Sequence, residues 1–441
     1  MAIITVVGAS GTTVQVTVDG GLNQKLAIDY QNSILKASTS NSLAAFDLKP
    51  GGNSDTLPGG ASVLQGVVTA GGAYSVTGAY TNLVVAALAS EGSTVLDGQV
   101  TVDASGSTGS SLSILTSNLG NTDVTVGDQS GKYVATAGTS TFDSSKSDGS
   151  WTISTGMDTK NTLTLGSGSN YVVSEGQDTI DGVGSNDTVT LLGGSSTVTL
   201  ATHAAVVDAA SSDLITVGDG STVFGGFGST VNFSGGTGTV VGSIGDTITA
   251  ASSLLVVHGV SNDIDASGAL TFISGTGTTT INAGTATIFG AAGLDALVNT
   301  TSSAALFVAN DGNETIDGSS ASMGLHAFAG VGDNTVIGGS ASDTLVGGTG
   351  NATMTGGSGA ANLFVITDGL AGGDYTITDF GSAAGNIMAL YGYGLQNSSG
   401  LHNVLDAATV AGGNTTIQLA DNSKITFVGV TDLSASNFNL S

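Results

Sequence analysis

Between residues 329 and 364, four nine-residue units follow one another without a gap. They run Ala329 to Ile337, Gly338 to Val346, Gly347 to Thr355 and Gly356 to Phe364, each opening on small turn-forming residues. Each carries an apolar residue at its eighth place: Val336, Leu345, Met354 and Leu363. A nine-residue unit of this kind suits half a coil of a parallel β-solenoid. About six residues turn, and about three form a strand whose middle side chain points inward. Coils then stack about 4.8 Å apart over a narrow continuous core, at about 20 residues per coil. Looser copies occur at Gln177-Asp178-Thr179-Ile180, Asn186-Asp187-Thr188-Val189, Gly245-Asp246-Thr247-Ile248 and Asn313-Glu314-Thr315-Ile316. The fold class expected is all-β: a parallel β-solenoid (β-roll or β-helix) with a small N-terminal α+β element and a C-terminal β cap.

Composition agrees. The chain holds 70 Gly but two Pro, Pro50 and Pro58, among many Val, Ile and Thr. Such a mixture gives short strands separated by tight turns. The first 50 residues read differently. Ile3–Val7 and Thr13–Val18 form two strands around a Gly8–Gly11 turn, and Val14, Val16 and Val18 alternate. From Leu22 to Lys36, the spacing of Leu22, Leu26, Tyr30 and Ile34 predicts a helix. The Pro/Gly-rich segment from Pro50 to Gly60 reads as a linker or elaborate turn. Three segments follow: 1–58, strand pair, helix and linker; 59–364, Gly/Ser/Thr-rich solenoid; 365–441, C-terminal cap. Residues 61–160, which hold the single Trp151, suit either the same solenoid or a β-sandwich.

Charge restricts the partners. Thirty-four Asp and Glu face seven Lys and no Arg, for a net charge of −27. The stretch from Asn161 to Ser423 has no cationic side chain at all. Nucleic acid is excluded as a partner, since nothing could neutralise its phosphates. The acidity reads either as a means of solubility or as a demand for counter-ions, of which Ca²⁺ prefers oxygen ligands. There is no Cys for a disulfide or a thiolate metal site. The N-terminus lacks a basic region and an apolar region of signal-peptide length. No run of 18 apolar residues occurs, so no membrane span is expected.

The four nine-residue units resemble the glycine-rich Ca²⁺-binding repeats of RTX proteins, with the pattern G-G-x-G-x-D-x-U-x. In that family the sixth-place Asp and turn carbonyls of neighbouring coils chelate Ca²⁺. Here the sixth place holds Asn334, Asp343, Ala352 and Ala361, so a single carboxylate remains. Stacking every second unit would set Asp343 beside Ala361 and Asn334 beside Ala352. The resemblance makes Ca²⁺ the expected cofactor at few sites, with Asp178, Asp187, Asp246 and Asp343 as candidate ligands. Each Asp reads equally as a turn support through an Asx bond. The C-terminus carries a second resemblance. Tyr375-Thr376-Ile377-Thr378-Asp379-Phe380, Asn386-Ile387-Met388-Ala389-Leu390, the run from Gly412 to Val430, and Phe438-Asn439-Leu440-Ser441 look like the terminal domain of RTX-type proteins. That domain implies export by type I secretion through an uncleaved C-terminal signal, and so an extracellular or cell-surface location.

Catalytic patterns are missing from the sequence. It has no Gly-x-Ser-x-Gly elbow, and His203, His258, His326 and His402 form no His-Glu-x-x-His. The expected function is that of a secreted, non-catalytic structural protein that self-assembles into a surface layer, filament or biofilm matrix. Its partners would be further copies of itself and cell-surface polysaccharide, with residues 1–50 as the assembly element. A Ca²⁺-dependent adhesin or glycan-binding protein without ordered assembly is the alternative, and a degenerate polysaccharide-acting enzyme the third reading.

Overall fold

A computed structural model describes the chain except for residues 1, 9–11, 19, 87–95, 158, 371, 384, 397 and 441. The described residues divide into two compact units, Met1–Ser234 and Gly235–Ser441. Both are built mainly from parallel strands, most of them pairing with the next but one along the chain. The expected parallel β-solenoid is therefore the fold, and the described strands of the region 61–160 are part of it.

In the first unit Thr162 opposes Thr179, Thr179 opposes Thr197 and Thr197 opposes Leu214, so one coil takes 17 or 18 residues. Alternation puts every second side chain inside. Leu163, Ile180, Val198, Ile215 and Val231 form one inward column, each fully buried. Ile153, Val172, Val189, Val206 and Val223 form the facing one. Each such side chain contributes roughly 1.5–3 kcal/mol on leaving water. Larger groups fill the earlier coils. Tyr133 stacks on Phe142 at 4.4 Å between ring centres, and Phe142 meets the edge of Trp151 at 5.0 Å. Gly131 admits this packing, because a Cβ there would lie 2.0 Å from the Leu112 carbonyl oxygen and 2.6 Å from the indole.

The N-terminal element folds as its pattern requires. Strands β1 (Ala2–Val7) and β2 (Thr13–Val18) pair antiparallel, and helix α1 (Gly21–Thr39) follows. The expected Gly8–Gly11 turn falls on residues 9–11, outside the described residues. Val14, Val16, Leu26, Tyr30 and Ile34 bury themselves against Val67, Val84, Leu115 and Val134, which stand on the outer side of one solenoid sheet. The element is thus laid over the chain's own coils.

The coils begin earlier than the expected boundary at residue 59. Leu43–Asp47 pairs parallel with Val63–Val68, and Gly51–Asn53 with Tyr74–Val76. The Pro/Gly-rich segment extends into a strand directly after Pro50, where a missing N–H costs no ladder bond.

In the second unit one inward column runs Phe272, Ile288, Phe307, Ala327, Leu345 and Phe364. The first three nine-residue units keep register, with Asn334 beside Ala352 and Val336 beside Met354. The fourth does not. Thr344 opposes Leu363, so Asp343 stands beside Asn362 and not beside Ala361. One extra residue in the preceding turn moves Leu363 to the outer side and brings Phe364 in, fully buried over Leu345. The expected boundary at residue 365 falls inside the strand Leu363–Thr367. The last coils carry the β cap. Lys424–Phe427 pairs parallel with Asp374–Ile377 on one side and antiparallel with Asn414–Gln418 on the other. Helix α2 (Ser398–Asp406) precedes this hairpin. No helix among the described residues is long and apolar enough to cross a membrane.

Candidate functional site

Asp178, Asp187, Asp246 and Asp343 each stand directly before a strand, followed by Thr and then Ile, Val, Ile or Leu. Alternation points the Thr outward and leaves the Asp on the same side as the apolar residue. All four carboxylates are accordingly inside, with exposures of 2%, 0%, 1% and 2%. At that corner the chain leaves its turn, and the backbone N–H has no carbonyl partner in the parallel ladder. The side chain one coil further on supplies the acceptor.

The result is a ladder of side-chain oxygens. The Ser140 N–H donates to Asn161 Oδ1 at 3.0 Å, and the Asn161 N–H to Asp178 Oδ1 at 2.8 Å. The Asp178 N–H donates to Ser196 Oγ at 3.2 Å, and the Ser196 N–H to Asp213 Oδ1 at 2.5 Å. The other sheet has its own ladder, in which the Trp151 N–H donates to Asn170 Oδ1 at 3.0 Å and the Asn170 N–H to Asp187 Oδ1 at 2.8 Å. In the second unit the Leu325 N–H donates to Asp343 Oδ1 at 2.6 Å and the Asp343 N–H to Asn362 Oδ1 at 2.9 Å. The Asn362 N–H then donates to Asn386 Oδ1 at 2.8 Å. The Asp246 N–H donates to Asn262 Oδ1 at 2.9 Å. A neutral hydrogen bond contributes about 0.5–1.5 kcal/mol net, and one to an ionised acceptor about 1.5–3 kcal/mol.

These surroundings bear on calcium. Ca²⁺ gathers 6–8 oxygen ligands. Asp178 instead offers both oxygens to N–H and O–H donors: Asn161 N and Nδ2 at Oδ1, Thr155 Oγ1 and Ser174 Oγ at Oδ2. Asp343 accepts from Leu325 N and Gly339 N. Asp178 and Asp187, nine apart in sequence, head strands of opposite sheets and are not brought together. Among the described residues no three His, Asp or Glu side chains group so as to hold a metal ion. At Asp178 and Asp343 the carboxylates thus serve N–H and O–H donors of the fold itself.

Sequence reasoning missed other rungs, among them Asn161, Asn170, Asn262, Asn362 and Asp213. The signal was available: each precedes a strand by one residue, in phase with its apolar centre.

Several rungs are poorly solvated carboxylates. Burial raises Asp187 and Glu314 above the ordinary carboxylate range. Burial, with the Asp208 carboxylate beside it, pushes Asp213 up to about 7, and burial pushes Asp343 up to about 6. A raised carboxyl contributes stability that is full below its unfolded value of about 4 and is lost as pH rises through the folded value. Urea unfolding at pH 5 and pH 8 is therefore expected to find the fold more stable at pH 5. Asp213→Asn should narrow that difference in the first unit, and an unchanged difference would refute the assignment.

The remaining surface holds little grouped chemistry. All four histidines are exposed. A shallow hollow of about 320 Å³ in the second unit is lined mainly by Phe328, Val331, Val346 and Leu370, with Asp311 as its titratable group. No family model matches the sequence, and no curated protein or solved structure matches it either.

Proposed function

We propose that the chain is a non-catalytic structural subunit that assembles with copies of itself outside the cell, as a surface layer or filament. The observation that carries this reading is the edge of the first coil. Leu43–Asp47 and Gly51–Asn53 each pair with a strand on one side, and among the described residues no strand pairs with the other side. An unpaired parallel edge is a template for strand addition from another molecule. The reading is supported by the use of the buried acids, whose oxygens accept backbone amides. Export through a C-terminal signal is supported by the order of the segments after Tyr375.

Electron microscopy of the purified chain tests the proposal. Ordered lattices or filaments are expected, and uniformly single particles across salt and Ca²⁺ concentrations would overturn it. Single particles that bind cell-surface polysaccharide would favour the adhesin reading instead. Because the ladders hold the turns, melting with and without EGTA is expected to give the same midpoint. A Ca²⁺ contribution of only about 1 kcal/mol would move it by about 2–4 °C in units of this size.

A further inference from the structure

The strands of one sheet of the second unit carry no Asp, Glu, Lys or Arg on their outer side, and the exposed carboxylate Asp311 stands at the hollow beside Phe328 and Val346. Its register aligns Val257, Ile273, Phe289, Val308, Phe328 and Val346 in one outward column. Beside it stand Leu255, Thr271, Thr287, Leu306, His326 and Thr344. Exposures of 37% at Ile273, 42% at Phe289 and 44% at Phe328 mark these as solvent-facing apolar groups. The opposite sheet of the same unit carries Asp263, Asp265, Asp295 and Asp317 on its outer side. Among these strands the outward carboxylates thus stand on one of the two sheets.

We infer that this carboxylate-free sheet face is the lateral contact between copies, meeting the same face of a second molecule. The inference rests on the self-assembly reading and assigns it a surface. Charge selects the occupant. In a chain of net charge −27, most approaches of one copy to another set carboxylates against carboxylates. Face-to-face contact here places the acidic sheets on the far sides and packs two apolar columns at the usual sheet spacing of about 10 Å. The chain covers such columns where it can: in the first unit Val67, Val84, Leu115 and Val134 lie under β1, β2 and α1. Six rungs at about 4.8 Å, two side chains wide, give on the order of 300 Å² a side, well below the roughly 800 Å² of a standard interface. A lone pair of molecules is held weakly by such an area, and an array that repeats the contact is held firmly.

The absence of native Cys makes the test direct. Single cysteines at Thr287→Cys and, on the opposite sheet, Thr353→Cys are introduced into the full chain and oxidised mildly at high protein concentration. Disulfide dimers are expected about tenfold faster at position 287, as an oriented contact raises the effective thiol concentration. Adding Phe289→Asp should return that rate to the control, and circular dichroism should confirm an unchanged fold, since the side chain faces outward. Equal rates at 287 and 353 would overturn the inference. Microscopy of the same samples separates the two readings. Polymers without cross-linking at 287 refute the face and leave self-assembly standing. Cross-linking without polymers upholds the face and refutes ordered assembly.

Discussion

Trp151→Ala is expected to lower the unfolding free energy of the first unit by about 3–5 kcal/mol. The indole is 1% exposed, packed edge-on against Phe142, with Tyr133 stacked beyond. Its Nε1 donates to Ser147 Oγ at 3.4 Å, a long bond that adds little. The loss is therefore one of volume. Gly131 lies against the ring through its bare Cα, so that side of the space has no side chain to move into it. Stacked coils are coupled mainly to their neighbours. The damage should then appear as early opening of the coils around 131–153, seen as local proteolysis before the main transition. Urea unfolding followed by circular dichroism measures it, and Trp151→Phe should recover most of the loss. A change below about 1 kcal/mol would mean that the coils close over the gap.

The second large effect is at Asp178. Asp178→Ala removes the acceptor of four hydrogen bonds and leaves the Asn161 N–H and amide group buried without that partner. Unsatisfied buried groups cost about 1–3 kcal/mol each, so a loss of about 3–5 kcal/mol is expected. Asp178→Asn keeps Oδ1 for the Asn161 N–H and should lose less. Asp181, three residues on, is exposed and points outward; Asp181→Ala should stay within about 0.5 kcal/mol of the parent. Equal effects at 178 and 181 would refute the ladder as a source of stability.

Much of the architecture was legible in the sequence because it follows from alternation over short distances. The four-residue spacing of Leu26, Tyr30 and Ile34 marked the buried side of α1, and Val14, Val16 and Val18 marked that of β2. The nine-residue units fixed the coil. What escaped depends on distances between coils. Asn362 donates to Asn386 across 24 residues, whereas Asn161 donates to Asp178 across 17. With turns this unequal, no fixed period tells which residues stack, so neither the Asp343–Asn362 pairing nor the outward column through Phe289 and Phe328 could be counted out. The acidic residues were harder for another reason. An Asp in a Gly-rich turn suggests a solvated ligand, yet its place before Thr and an apolar residue puts it in phase with the core.

The ladders described above have a sense of direction. In each rung the N–H belongs to the earlier coil and the accepting oxygen to the later one. Cutting the stack from its N-terminal side removes donors and leaves surplus oxygens, which water can serve at a newly exposed end. Cutting it from the C-terminal side strips acceptors and leaves a corner amide bare. The stack therefore has a grain: shortened variants should tolerate loss of early coils better than loss of late ones. A chain growing from its N-terminus also cannot close any corner until the coil after it has arrived.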